Sequence, residues 1–193
     1  MPRLSSQQID AEIVEAAAAL IAQHGYEQTS LQRIADAVGY SKTGLLHRFP
    51  SKEALLDAVA ESCSSTVDEV LAAVEGMPAG AERDAAVVGR LVELAVGRPG
   101  FVSLFMGLST TLAGTTAGRR MADVPERLFA AFAVAPDAPL PRRLSVLGAL
   151  GALAVTAMAP LEEPPDRLRP LIAATALAAL GHAPPPSSQT DQH

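Results

Sequence analysis

Hydrophobic and polar positions recur with a helical period along most of the chain. Ile9, Ile13, Ala16, Ala17, Leu20 and Ile21 share one face of a helix over 6–24, and Gly25 follows as its stop. Leu31, Ile34, Ala35 and Val38 repeat that spacing over a short second segment. Thr29 or Ser30 is its cap, because a hydroxyl there accepts a bond from an otherwise orphaned backbone N–H. Gly39 stands where a helix end favours a left-handed residue. Ser41 caps a third segment, and its Leu45 and Phe49, four apart, pack it back onto the second. Pro50 ends that segment, and Ser51 opens a long helix from Lys52 to about residue 74. Beyond the break at 76–80, the pattern predicts five more helices at 81–97, 99–113, 116–134, 140–159 and 164–181, separated by Gly- and Pro-containing stops. Few alternating β-branched runs are visible, so the predicted fold is all-α.

Two short helices joined by a tight turn are the helix-turn-helix signature, in which the second helix is the reader of DNA. The chain therefore divides into a three-helix domain over 1–52, a larger helical domain over 53–183, and a tail over 184–193. That tail is rich in Pro, Ser and Gln and is expected to be disordered. A net charge of −6 and a pI near 5.2 argue by themselves against a nucleic-acid partner. Local charge reverses that picture. The only lysines are Lys42 and Lys52, and with Arg33 and Arg48 they face Asp36 alone between Gln28 and Lys52. One face of an acidic protein is thus positive, and it is the face the motif presents to phosphates.

Composition narrows the remaining options. Hydrophobic residues make up 49% and aromatic residues 4%, with no Trp, so the core is built from Ala, Leu and Val, a helix-favouring set. The single Cys63 excludes an internal disulfide and leaves no cysteine-based zinc site. His182 and His193 have no partners at ligand spacing, so neither a metal nor a cofactor is expected. No Gly-rich phosphate loop, His pair at i, i+4, or histidine near Cys63 points to catalysis, and Glu162-Glu163 sits in a proline-rich loop. No catalytic residue is assigned and no enzyme is expected. The N-terminus lacks a basic region followed by an apolar segment, so a cytoplasmic protein is expected. The apolar stretch 144–161 is at the lower limit for crossing a bilayer, and its Gly and Ala content reads better as a buried or interface helix than as a membrane span.

Residues 6–60 resemble the TetR-type bacterial transcriptional regulators. The likeness rests on the order and spacing of an amphipathic first helix, Gly25-Tyr26-x-x-Thr29, Ile34-Ala35-x-x-x-Gly39, Ser41-Lys42, Leu45, and Phe49-Pro50-Ser51-Lys52-Glu53-Ala54-Leu55. It implies a helix-turn-helix domain on a helical body, acting as a homodimer on a palindromic double-stranded DNA operator, with a small apolar or amphipathic effector releasing the DNA. A repressor is the implied role. A protein-interaction module, or an activator of the same fold without effector-triggered release, is the alternative.

By the same resemblance, Gln32 and Arg33 contact bases or phosphates, and Lys42, Thr43 and Gly44 open the recognition helix. Lys52 meets a phosphate, and Thr29 and Ser41 complete the contact set. The chain departs from the family at Tyr40 and at Leu46-His47-Arg48, where an aromatic residue is usual; His47 or Arg48 replaces that phosphate contact, unless Tyr40 is a core plug and His47 a solvated side chain. The last two helices would form the dimer contact as a four-helix bundle, with Gly148, Gly151, Ala152 and Ala174 allowing close approach. Phe101, Phe105, Met106, Thr110, Met121, Phe129, Phe132 and Met158 are candidates to line the effector pocket, although an apolar stripe at helical spacing is equally well explained as core.

Overall fold

The computed structural model describes residues 5–106, 112, 114–159 and 163–182. Among these residues every regular element is a helix: α1 Ser6–His24, α2 Leu31–Ala37, α3 Lys42–Arg48, α4 Lys52–Ala73, α5 Ala81–Gly97, α6 Pro99–Met106, α7 Thr116–Arg120, α8 Val124–Ala131, α9 Leu140–Met158 and α10 Pro165–Ala179. None of them is long and apolar enough to cross a membrane.

Local chemistry accounts for the ends of the first elements. Ser5 and Gln8 form a reciprocal capping box at the start of α1, and Gly25 leaves the helix at φ 81°. The Ser30 hydroxyl accepts from the Arg33 N–H and starts α2. Gly39 takes φ 71° after α2, the left-handed turn residue its position required. Two predicted spans are corrected. The helix expected over 116–134 is two helices, because Pro125 has no N–H to offer the preceding turn and its ring would clash with the carbonyl four residues back. The helix expected over 99–113 is helical over Pro99–Met106 and not helical at Leu112; Arg3, Leu108, Thr110, Thr111, Glu162, His193 and the tail 184–193 lie outside the described residues.

The chain forms two compact units. One comprises Met1–Glu69 and Arg98–Glu126, the other Val70–Gly97 and Arg127–His193. In the first, α1 packs on α2 and on α6, and α2 on α3. Its core contains Ile13, Ile21, Ile34, Leu45, Leu55, Val59 and Leu104. Gly100 brings α6 against α1: a Cβ there would lie 2.6 Å from Glu15 Oε1 and 2.9 Å from the Ala19 nitrogen. The Gly100 N–H donates to that Glu15 oxygen at 2.6 Å, while the Arg98 guanidinium donates to Ser62 and Thr66 on α4 and lies 3.5 Å from the centre of the Phe101 ring.

In the second unit, α5, α9 and α10 pack on one another. Asp84, 1% exposed, receives both Nη atoms of Arg142 at 2.7 and 2.8 Å and lies 2.8 Å from His182 Nε2. Arg83 donates to the Val74 and Met77 carbonyls at one helix end and to the Ala130 and Ala131 carbonyls at another. One side chain thereby satisfies acceptors that two helix termini leave open.

Candidate nucleic-acid interface

α3 is seven residues long and begins at Ser41, whose hydroxyl oxygen accepts from the Gly44 N–H at 3.0 Å. Gly44 leaves room for that cap, since a Cβ would lie 3.1 Å from the Ser41 oxygen. Leu45, fully buried, anchors the inner face. Lys42 and Thr43 in the first turn and His47 in the last are exposed, and among the described residues no hydrogen bond or ion pair holds their side chains. Arg33 on α2 is likewise exposed and unpaired, and Gln32 next to it donates to Asp36 at 2.7 Å. Lys42, Thr43, His47, Gln32 and Arg33 therefore remain accessible on the two motif helices.

The other sequence-predicted contacts are committed within the protein. Thr29 is 1% exposed, and its hydroxyl donates to the Gly25 and Leu20 carbonyls at 2.9 and 3.2 Å. It ties the turn to α1, and its hydroxyl is not presented to a phosphate. Ser41 spends its oxygen on the cap. Arg48 pairs with Asp10 at 2.5 Å and donates to the Ser6 carbonyl and hydroxyl at 3.3 and 3.1 Å. It thus reaches back to α1 instead of outward.

Lys52 lies with its Nζ 4.1 Å from the centre of the Tyr26 ring and donates to the Glu27 carbonyl at 3.4 Å. Its charge stays near the surface, held by the turn before α2. Tyr26 is half-buried, and its hydroxyl donates to Glu53 at 3.1 Å. Partial burial and the neighbouring Glu53 push its hydroxyl up to about 12. Tyr40 is also half-buried.

The expected effector-lining set is drawn from both compact units, with Thr110 outside the described residues. Phe101, Phe105, Met106 and Met121 belong to the first compact unit, and Phe129, Phe132 and Met158 to the second. Phe101, Met121 and Phe132 are buried, Phe105 and Phe129 half-buried, and Met106 and Met158 exposed. Among the described residues no cluster of His, Cys, Asp and Glu is arranged to hold a metal ion. Burial pushes the Cys63 thiol up to about 12, which makes it an inert core group.

Sequence reasoning missed the Asp10–Arg48 pair and the Glu15 contact with Gly100. The partners are 38 and 85 residues apart, and neither pair has a local signature.

Residues 13–59 match the family model for bacterial regulatory proteins of the tetR family. The transcriptional repressor AcnR of Corynebacterium diphtheriae is 35% identical over 75 residues, covering 37% of this chain and 40% of AcnR. The transcriptional regulator RutR of Escherichia coli K12 is 51% identical over 47 residues, covering 24% of this chain and 22% of RutR. The match thus spans less than half the length of either curated relative. Over most of the chain the structure is similar to that of AibR in complex with isovaleryl coenzyme A and operator DNA, at 25% identity and a TM-score of 0.57, covering 86% of this chain and 96% of AibR.

Proposed function

We propose that the chain is a transcriptional regulator of the tetR family, the family its residues 13–59 match, and a repressor that binds a palindromic operator as a homodimer and leaves it when a small apolar or amphipathic effector binds. The observation that carries this reading is the state of α3: its first turn offers Lys42 and Thr43 to solvent, unpaired, beside an equally unpaired Arg33. A Lys can donate to guanine O6 and N7, and a Thr methyl can meet the thymine methyl. The functional partition is a DNA-reading domain over 1–52 and an effector and dimerisation domain over 53–183.

Dimerisation is supported by the outer face of α9. Leu140, Leu144, Leu147, Val155 and Met158 recur along it and are 45–63% exposed, with Leu171 of α10 at 65%. Apolar side chains in such a row call for a covering surface. Gly151 has nothing within 4 Å of a would-be Cβ, leaving space for an approaching helix. A second copy contributing the same two helices closes a four-helix bundle.

For the effector, Phe105 and Phe129 are half-buried apolar candidates in the body. AibR holds an acyl coenzyme A, a molecule of the amphipathic class proposed here. An effector that binds the spacing of recognition helices unsuited to DNA draws the population away from the DNA-competent form.

Selection of duplexes from a random DNA library by the purified protein tests the reading. The expected product is a palindrome with half-sites centred about 34–36 Å apart, one helical turn. Absence of any enriched sequence contradicts the proposed function.

A further inference from the structure

We propose that Asp10 and Arg48 are positioning residues for DNA reading, an ion pair that sets the orientation of α3 against α1 and so the direction in which Lys42 and Thr43 point. The inference rests on the DNA-binding reading above. α3 has seven residues and only Leu45 is buried, so apolar packing gives it a single firm anchor. Along its C-terminal half it borders an open cleft of about 610 Å³ that α1 and α4 also line, with Val14, Phe49 and Ala58 among its walls. Space on that side leaves rotation of the short helix about Leu45 poorly opposed by side-chain contact.

Arg48 spans the gap. Its Nη1 donates to Asp10 Oδ1 at 2.5 Å and to the Ser6 carbonyl and hydroxyl, three acceptors on the first turns of α1. The side chains are 25% and 42% exposed, enough shielding for a charged hydrogen bond to hold a direction. Arg48 also lies in the last turn of α3, where a cation suits the helix dipole. The resemblance to other regulators had assigned this residue, or His47, to a phosphate; its geometry gives it a partner inside the protein.

The two roles have opposite signatures at Asp10. If Arg48 were a phosphate contact restrained by Asp10, Asp10→Asn would free it, remove a negative charge from the DNA-binding domain, and tighten binding. If the pair positions α3, Asp10→Asn weakens specific binding although the charge change favours DNA.

The experiment measures the affinity of the full-length protein for a duplex selected by the wild type and for a scrambled duplex of equal length. Protein concentrations are corrected for active fraction, and thermal melts are run alongside, so loss of folded protein alone leaves both affinities unmoved. The expected result for Asp10→Asn is about tenfold weaker binding to the selected duplex and unchanged or tighter binding to the scrambled one. Arg48→Met weakens binding to the selected duplex by a similar factor and, having lost a cation, binds the scrambled duplex no tighter than the wild type but loses far less there. Arg48→Lys retains most of the discrimination, and in Asp10→Asn with Arg48→Met the ratio of selected to scrambled affinity falls no further than in either alone, because both remove one interaction. Tighter binding of Asp10→Asn to the selected duplex, or equal weakening on both duplexes, overturns the proposal while leaving the regulator reading intact. Failure of the wild type to discriminate between the duplexes overturns both.

Discussion

Asp84 is a buried carboxylate of the second unit, held between Arg142 and His182. Burial opposes its charge, but the two hydrogen bonds from Arg142 and the contact with His182 outweigh that and hold its carboxyl below the ordinary value of 3.8. A carboxyl lowered by folding stabilises the native state above its unfolded-state pKa, and the stabilisation is lost as pH falls through the folded-state value. The affected window therefore lies below pH 3.8. Asp84→Asn leaves Arg142 without its counter-charge and is expected to cost about 2–3 kcal/mol at neutral pH, less than a fully buried pair because Arg142 keeps solvent contact. Urea unfolding at pH 7 and pH 3 checks this: the wild type loses stability on acidification, and the variant loses distinctly less.

At the level of elements, local chemistry was legible in the sequence. The bounds of α1, the left-handed Gly39 and the Ser41 cap each depend on residues within one turn, and the pattern placed all three correctly. Pro125 also carried a local signal, overridden by the apolar periodicity that ran on through it. What the sequence did not carry was direction. Thr29 and Ser30 look equivalent as caps, yet one hydroxyl turns inward to Leu20 and Gly25 and the other serves α2. Arg48 reads as a DNA-facing cation until the opposing Asp10 is in place.

The seat of α6 on α1 is likewise invisible locally, because Gly100 looks like any helix-start glycine until Glu15 and Ala19 are found against it. A Cβ at Gly100 forces α6 outward or breaks the Glu15 bond. Gly100→Ala is expected to destabilise by about 1–3 kcal/mol, an overpacking cost at a backbone contact that cannot yield like a flexible side chain. A thermal melt measures it, and an unchanged midpoint contradicts the packing described.

For the whole molecule, the proposed DNA binding rests on the local cation excess between Gln28 and Lys52 of an otherwise acidic chain, and a dimer would present that face twice. The exposed apolar row on α9 is the surface proposed to bring the two copies together. Leu147→Asp places a charge in the centre of the proposed bundle and is expected to shift the protein from dimer to monomer in sedimentation equilibrium, with operator affinity reduced by at least about tenfold because each half-site then binds alone. A wild-type protein that is monomeric at micromolar concentration removes this interface.

The central claim is that the exposed first turn of α3 reads DNA. It is tested most directly by equilibrium binding of the wild type and Lys42→Ala to the DNA upstream of the protein's own coding region across a range of salt concentrations. About eight phosphate contacts in a dimer give a log–log slope near −7. The expected result is such a steep slope for the wild type and at least about tenfold weaker specific binding for Lys42→Ala, given that a good base contact contributes about 1–3 kcal/mol per half-site. Equal affinity of the two proteins for that DNA, or binding insensitive to salt, would contradict it.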